Sequence, residues 1–556
     1  MRGIIGWMPP LLAAATLTVA AWAWAGRPVD LPPAPEAKLH CASYTPFRGD
    51  QTPFDPTIMI PRAQIEEDLA RLKPVTACVR TYAVDQGLDQ VVPVADQLGM
   101  QVLLGIWIGR DPKANELQIS TAIALAKAHA TTVKAIIVGN EVLLRGEQTG
   151  ETLATMAQRV HAETGLPVTY ADVWEYWLRA PRVLKDSVDF VTIHVLPYWE
   201  DDPLPVSEGI THLEHILAVV HDKIPGRRIM VGETGWPSAG RWREDAAPSI
   251  VNEARYLREF LVWAKSNDLD YNFIEAFDQP WKRWQEGTAG GYWGLFAENR
   301  TPKFDWAGPV SEFPRWPIDA GISVVLGLGI LAVARFSHHR PTNLTRWTVS
   351  LGAMAAGIAL TLHFPHGWAV ARNDWEWLLE SSIGLAVFAT AVLLSAVALA
   401  GELYLAGGSL LEAVAWLRRP WLGLKLRQAI ALLRLASLSG MATASLGLCF
   451  DSRYRDFPLE AYVVPALFFL VVDIARGALI RAESDRREEA AFSLLLAGSA
   501  VFIFFNEGAL NLEADAWCAL NLLGALPGIA AWRGLFQRRR ISSSEASRPT
   551  AASPAL

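Results

Sequence analysis

The sequence predicts a (β/α)8 barrel followed by an all-α, multi-span transmembrane domain. Three observations predict it. Strand-like and helix-like segments alternate from Leu39 onward, eight strands in about 270 residues, the pattern of a closed parallel barrel. Several of these strands end in polar or aromatic groups, where a barrel gathers its functional side chains. Past Pro317 the character changes to long apolar runs, most reaching the roughly 20 residues needed to cross a bilayer.

The elements follow in order. Arg2 precedes an uncharged run, Ile4 to Ala25, which reads as a signal peptide or a first anchor. Ala23-Trp24-Ala25 resembles a cleavage site, but the run is long and Pro9-Pro10 interrupts it, which favours an uncleaved anchor over residues 1–27. A Pro-rich linker covers 28–37 and the barrel 38–315. The strand candidates are Leu39–Tyr44, Thr76–Tyr82, Gln101–Trp107, Ala135–Glu141, Pro167–Asp172, Val188–Val195, Arg228–Glu233 and Tyr271–Phe277. Helical periodicity marks Arg62–Leu72, Leu117–Ala130 and Asn252–Lys265. An open doubly wound sheet is the alternative. It favours a Gly-rich phosphate loop after the first strand, and Tyr44-Thr45-Pro46-Phe47 is not one.

Seven spans follow within 316–535: about 318–336, 347–366, 380–405, 428–450, 459–480, 489–506 and 515–533. Their connections alternate in charge. One set carries Arg335, Arg340, Arg346, Arg418, Arg419, Lys425, Arg427, Arg481, Arg486, Arg487, Arg533, Arg538, Arg539 and Arg540. The other has only Arg372, Arg453 and Arg455. The positive-inside rule then puts the barrel across the membrane from the cytoplasm and the C-terminus in the cytoplasm; in a bacterial envelope that is the periplasm and the inner membrane. Residues 536–556 read as a disordered basic tail. Within the spans, Arg434 is expected to snorkel and Asp473 to pair with Arg476.

The net charge of -7 and the absence of basic aromatic patches argue against nucleic acid. The four cysteines, Cys41, Cys78, Cys449 and Cys518, have no metal-ligand spacing, so neither a metal nor another cofactor is expected. Cys41/Cys78 and Cys449/Cys518 are each placed to pair in an oxidising compartment. Four free buried thiols is the simpler expectation.

Two strand ends carry the chemistry. Glu141 ends strand four and Glu233 strand seven, so they face each other across the mouth. Two carboxylates so placed are what glycosidic bond cleavage requires: one donates a proton and one attacks or activates water. Around them the order of strands places Tyr44, Arg80, Tyr82, Asn140, Asp172, Trp174, Glu175, His194, Tyr198, Trp236, Glu275, Asp278, Gln279, Trp281 and Lys282 as substrate-binding candidates. A mouth rich in Trp, Tyr, Asn and Glu suits a carbohydrate. Trp174, Trp177, Trp199 and Trp281 are candidates for an acceptor platform.

Val138-Gly139-Asn140-Glu141, Gly232-Glu233-Thr234-Gly235-Trp236-Pro237-Ser238 and Glu275-Ala276-Phe277-Asp278-Gln279-Pro280-Trp281-Lys282 resemble the motifs of glycoside hydrolase family 17. That family holds β-1,3-glucanases and β-1,3-glucan transglycosylases. The resemblance covers about residues 38–310, and the layout is similar to bacterial membrane-bound members linked to β-glucan synthesis. It implies a retaining enzyme with Glu141 as acid/base and Glu233 as nucleophile. Glu141 is then expected to have a raised pKa, from burial and from the charge of Glu233. Asn140 is expected to bond the sugar 2-hydroxyl. Gln279 departs from the family, where many members have Glu. The implied partners are a β-glucan oligo- or polysaccharide, membrane lipid and a separate glucan synthase. Transfer to a sugar hydroxyl is preferred over hydrolysis. A non-catalytic glucan-binding subunit, or an export partner of a synthase, is the alternative.

Overall fold

The computed structural model describes residues 6–36, 38–334, 341–479 and 488–546. The chain divides into two compact units, one of residues 1–27 with 313–556 and one of residues 28–312.

The second unit holds eight parallel strands: β1 (Ala42–Ser43), β2 (Cys78–Arg80), β3 (Gln101–Ile106), β4 (Val133–Asn140), β5 (Val168–Val173), β6 (Val191–His194), β7 (Ile229–Glu233) and β8 (Asp270–Tyr271). They pair in sequence order, β1 to β8. The ends meet through a parallel bridge between Ala42 and Phe273, so the sheet curls into a barrel. The first and last strands are shorter than the sequence predicts. Past Tyr271 the backbone alternates between the two sides of the seam and beyond: Asn272 N–H bonds Val231 and Ile274 N–H bonds Thr234, while Phe273 N–H goes to Cys41, Glu275 N–H to Trp293 and Ala276 N–H to Ser43.

Crossover helices cover the barrel, including Arg62–Leu72, Pro112–Ala128, Gly150–Thr164, Gly209–Lys223 and Ile250–Ser266. The second of these starts five residues before the predicted Leu117, because Asp111 caps it and Pro112 suits its first position. Ser249 likewise starts the last one early, at Ile250. Between helices and sheet lies a layer of Ile, Leu, Val and aromatic side chains. A smaller cluster fills the barrel's interior: Cys41, Cys78, Leu103, Ala135, Ile137, Ala171, Phe190 and Met230.

Three expectations change here. Cys41 and Cys78 form a disulfide, since the β1/β2 register of Ala42 against Val79 sets them side by side; Cys449 and Cys518 are free. The Pro-rich stretch after Arg27 is no free linker. Val29 pairs with Val310, Ala34 N–H bonds Trp306, and Leu31 is buried. Pro9-Pro10 does not interrupt the N-terminal run. Both sit in the first turn of a helix, Met8–Ala25, where their missing N–H groups cost nothing.

The first unit is helical. Among the described residues seven helices are long and apolar enough to cross a membrane: Met8–Ala25, Trp316–Ala334, Asn343–Val370, Asp374–Ala400, Leu426–Phe450, Glu489–Glu507 and Leu512–Trp532. An eighth expected span forms the helix Leu459–Ala475, only 17 residues long. The last helix continues to Ala546, into the stretch expected to be disordered; residues 547–556 lie outside the described residues. So do the expected loop arginines Arg335, Arg340, Arg481, Arg486 and Arg487. Arg434 does not snorkel. It is buried, and its Nη2 donates to Asp473 at 2.7 Å and Glu489 at 2.9 Å. Asp473 also meets Arg476 at 3.6 Å.

Candidate active site at the mouth of the barrel

The C-terminal ends of β2, β4, β6 and β7 deliver the central group. β4 ends in a turn that only certain residues allow. Gly139 has φ +90°, and a Cβ there would lie 2.8 Å from Val142 Cγ2. Glu141 itself has φ +52°, a left-handed conformation costly for a residue with a side chain. Its N–H bonds Ala171 on β5, which holds the turn in place. On β7, Gly232 lets β6 close in: a Cβ would lie 2.4 Å from Thr192 Cγ2 and 3.1 Å from His194 Cδ2.

His194 stands between the two carboxylates. Its Nδ1 is 2.8 Å from Glu141 Oε1, and its Nε2 is 3.7 Å from Glu233 Oε1. One oxygen each of Glu141 and Glu233 and one His194 nitrogen all lie within 4.8 Å of each other. Glu233 Oε1 accepts from Tyr82 Oη at 2.8 Å and lies 3.3 Å from Arg80 Nη1. Arg80 is fully buried. It donates to the Gly232 carbonyl at 2.7 Å and to Asn140 Oδ1 at 2.5 Å, and it faces His194 Nε2 at 3.4 Å. Two acids and an imidazole are a possible metal-ligand set, but here the Arg80 guanidinium supplies the balancing positive charge.

The charge on Glu141 corrects an expectation. Burial pushes its pKa up, but the hydrogen bond and charge of His194, with Arg145 and Arg80, outweigh burial and hold it below the usual carboxylate value. The raised carboxyls stand around this core instead. Glu275 is buried and bonded to Lys282 Nζ at 2.8 Å; burial lifts it to about 7. Asp278 is lifted to about 6 by burial, although Lys303 Nζ lies 2.7 Å away.

Several predicted contacts are structural. Tyr44 is fully buried, with its hydroxyl on Asp68. Tyr198 is buried and donates to the Arg241 carbonyl; Trp236 is buried and donates to that of Ala247. Asp172 holds the turn after β4: it accepts from Tyr170 and from the Leu143 and Leu144 N–H groups, and burial lifts it to about 6. Gln279 is buried, bonding the Thr45 and Phe277 carbonyls and accepting from Trp281 Nε1 at 2.8 Å. Trp174 and Glu175 begin a short helix at the end of β5 and are part-exposed.

Two neighbours escaped the sequence reading. Glu286 sits on the short helix Arg283–Gly290 and is lifted to about 7, first by burial, against Lys282 and with the charges of Glu275, Glu141 and Glu233. Its spacing of four from Lys282 was the available signal. Trp107 follows β3 as Tyr82 follows β2. It is 40% exposed, and the Arg145 guanidinium lies 4.2 Å from its ring centroid.

A model of the BtgE/BtgC glycoside hydrolase domain matches residues 41–294. A glucan 1,3-beta-glucosidase of Arthroderma benhamiae is 29% identical over 263 residues, 44% of this chain and 84% of its own. One from Candida albicans is 26% identical over 261 residues, 43% of this chain and 84% of its own. The barrel is a glycoside hydrolase domain of family 17. Among solved structures, a family 17 β-1,3-glucanosyltransferase of Rhizomucor miehei is 26% identical, with a TM-score of 0.43 over 49% of this chain and 98% of that one. The family 17 barrel makes this chain a glycosidase or transglycosylase by class.

Proposed function

We propose that this family 17 barrel cleaves or transglycosylates β-1,3-glucan with retention, Glu233 attacking and Glu141 serving as acid and then base. The observation that carries the reading is the close approach of the two carboxylates, oxygens within 4.8 Å. Retaining enzymes hold their carboxyls about 5 Å apart, whereas inverting ones leave several ångströms more for a water.

The surroundings suit each role. Tyr82 bonds Glu233 Oε1 and the Arg80 guanidinium lies 3.3 Å from it, which aims the side chain. Glu141 Oε1 lies within hydrogen-bond distance of His194 Nδ1, at 2.8 Å. Its side chain is 25% exposed, so a bound sugar excludes the water that now solvates it and raises its proton affinity. The proton passes to the leaving oxygen as the Glu233–anomeric carbon bond forms. That bond removes the charge of Glu233, so Glu141 falls in pKa again and takes the proton of the incoming acceptor. Asn140, fixed by Arg80, is within the same group and available to the 2-hydroxyl. The part-exposed Trp107, Trp174, Trp199 and Trp281 offer ring faces to neighbouring sugars.

The names of the relatives support β-1,3-glucan as substrate, and the glucanosyltransferase supports transfer. The helices and their basic connections support a membrane protein with the barrel across the membrane from the cytoplasm, which we place in the periplasm; work in β-glucan synthesis or remodelling beside a synthase is our proposal for it.

The test incubates the purified full chain with linear β-1,3-gluco-oligosaccharides and follows products by mass spectrometry and proton NMR. Products longer than the substrate establish transfer; shorter products that first appear as the β-anomer establish retaining hydrolysis. First-formed α-anomers overturn retention. No product, with Glu233→Gln indistinguishable from the parent, overturns the catalytic reading.

A further inference from the structure

The buried arginine of the helical unit has more hydrogen-bond donors than its two carboxylates use. Both bonds of Arg434, to Asp473 and Glu489, leave from Nη2. Among the described residues Nε and Nη1 have no acceptor, though both are buried. The guanidinium stands 5.2 Å from the Phe469 ring centroid, which satisfies no N–H in the ring plane. An unsatisfied donor of a charged group inside an apolar bundle is strongly unfavourable.

A cavity of about 20 Å³ opens beside it, lined by Arg434 with Ser437, Met441, Phe469, Gly524 and Pro527, among others. A water needs about 10–15 Å³ measured this way and at least two polar partners. The second partner comes from the last helix. Pro527 lies inside it and has no N–H for the carbonyl four residues back, that of Leu523, which also lines the cavity. The arginine with unused donors and the residue whose carbonyl the proline frees thus both line one water-sized space.

We propose that this cavity is a binding site for a single water, which accepts from Arg434 and donates to the Leu523 carbonyl. The site joins the helix Leu426–Phe450 to the last helix and completes the ion-pair group of Arg434, Asp473, Glu489 and Arg476. It lies outside the barrel and does not depend on the proposed activity.

Filling the cavity tests this, because a dry cavity and a wet one respond in opposite ways. A Cβ on Gly524 would lie 3.3 Å from Met441 Cε, so Gly524→Ala fills space at the cavity wall. Gly498, in the helix Glu489–Glu507, has nothing within 4 Å, so Gly498→Ala is the control. The full chain in lipid nanodiscs is heated and its helical unfolding followed. The expected result is a lower Tm for Gly524→Ala and an equal or higher Tm for Gly498→Ala. Radiolytic footprinting supplies the independent readout. Bound water should give hydroxyl-radical oxidation of Met441, buried as it is, and Gly524→Ala should reduce that oxidation several-fold. A raised Tm for Gly524→Ala, or an unoxidised Met441 in the parent, overturns the proposal.

Discussion

Two buried arginines organise this molecule, and they do it differently. Arg80 ends β2 in the barrel; Arg434 sits within a helix of the other unit. Each faces two carboxyl-bearing or imidazole groups from other elements. Arg80 spends its donors on a backbone carbonyl, an amide and an imidazole, and only touches the carboxylate at 3.3 Å. It therefore fixes the positions of Glu233, Asn140 and His194 while leaving Glu233 oxygens available. Arg434 makes close hydrogen bonds to both of its acids, which ties helices together and leaves neither acid poised. The difference lies in how closely the arginine holds the acid. At the mouth the arginine stands 3.3 Å off and a tyrosine makes the close bond to Glu233; in the bundle the arginine itself makes both close bonds.

The largest expected effect breaks that comparison at its active end. Glu233→Gln should lower kcat by about 10³-fold or more, while Asp473→Asn should leave the kcat of folded enzyme within a few-fold. Steady-state assays on β-1,3-gluco-oligosaccharides check both; a comparable loss from Asp473→Asn would erase the distinction. Next come the arginines. Arg80→Met and Arg434→Met each leave buried acids without their partner, a cost of about 3–5 kcal/mol. The first should lower the barrel's melting transition and abolish activity. The second should lower only the helical transition, which calorimetry separates.

The disulfide sharpens the picture of the barrel alone. It closes a separation of 37 residues, for which the chain-entropy model gives about 4 kcal/mol. Cys78→Ser should lower the barrel's unfolding midpoint in urea and leave the helical transition in place. His194 gives a smaller, signed effect. It is the main contributor holding Glu141 down, so His194→Gln should raise the pKa of Glu141. The alkaline limb of kcat/KM against pH, where the acid loses its proton, should move to higher pH. A shift to lower pH would mean that Glu141 is not the acid. The smallest effect concerns stability. Glu275, Asp278 and Glu286 have pKa values raised to about 7, 6 and 7 in the fold by burial. Groups raised on folding favour the native state most below their unfolded values near 4, and that contribution is lost as pH rises through the native values. The barrel should therefore melt at a lower temperature at pH 8 than at pH 5.

Much of the barrel was legible in the sequence because its signal is periodic and local. Val133–Asn140 is an apolar run closed by a turn, and so is Ile229–Glu233; both carboxylates fell where strand ends put them. The seam was not legible. Asn272 to Phe277 reads as strand, but its N–H groups divide among Val231, Thr234, Cys41, Ser43 and Trp293, and no window of sequence contains those pairings. The same distance hid the partners of Arg434, which lie 39 and 55 residues away on other helices. Burial was the other blind spot. Tyr44, Tyr198 and Trp236 sit at or after strand ends, yet their rings turn into the layer between sheet and helices. Strand order gives the level of a side chain but not its direction beyond the last paired residue. Glu141 failed in charge rather than position, because His194 belongs to a strand two steps away.

One small side chain gives the seam a further meaning. Ser43 ends β1. Its Oγ lies 2.7 Å from Tyr82 Oη and accepts from Asn272 Nδ2 at 2.8 Å. Tyr82 in turn holds Glu233. The residue that aims Glu233 is thus braced by the first strand and by the segment after the last. A ribosome must have released almost the whole barrel before that brace can exist. A nascent or truncated chain that lacks Asn272 carries both Glu141 and Glu233 but not the brace that aims Glu233, so that geometry waits for the end of the barrel to be made.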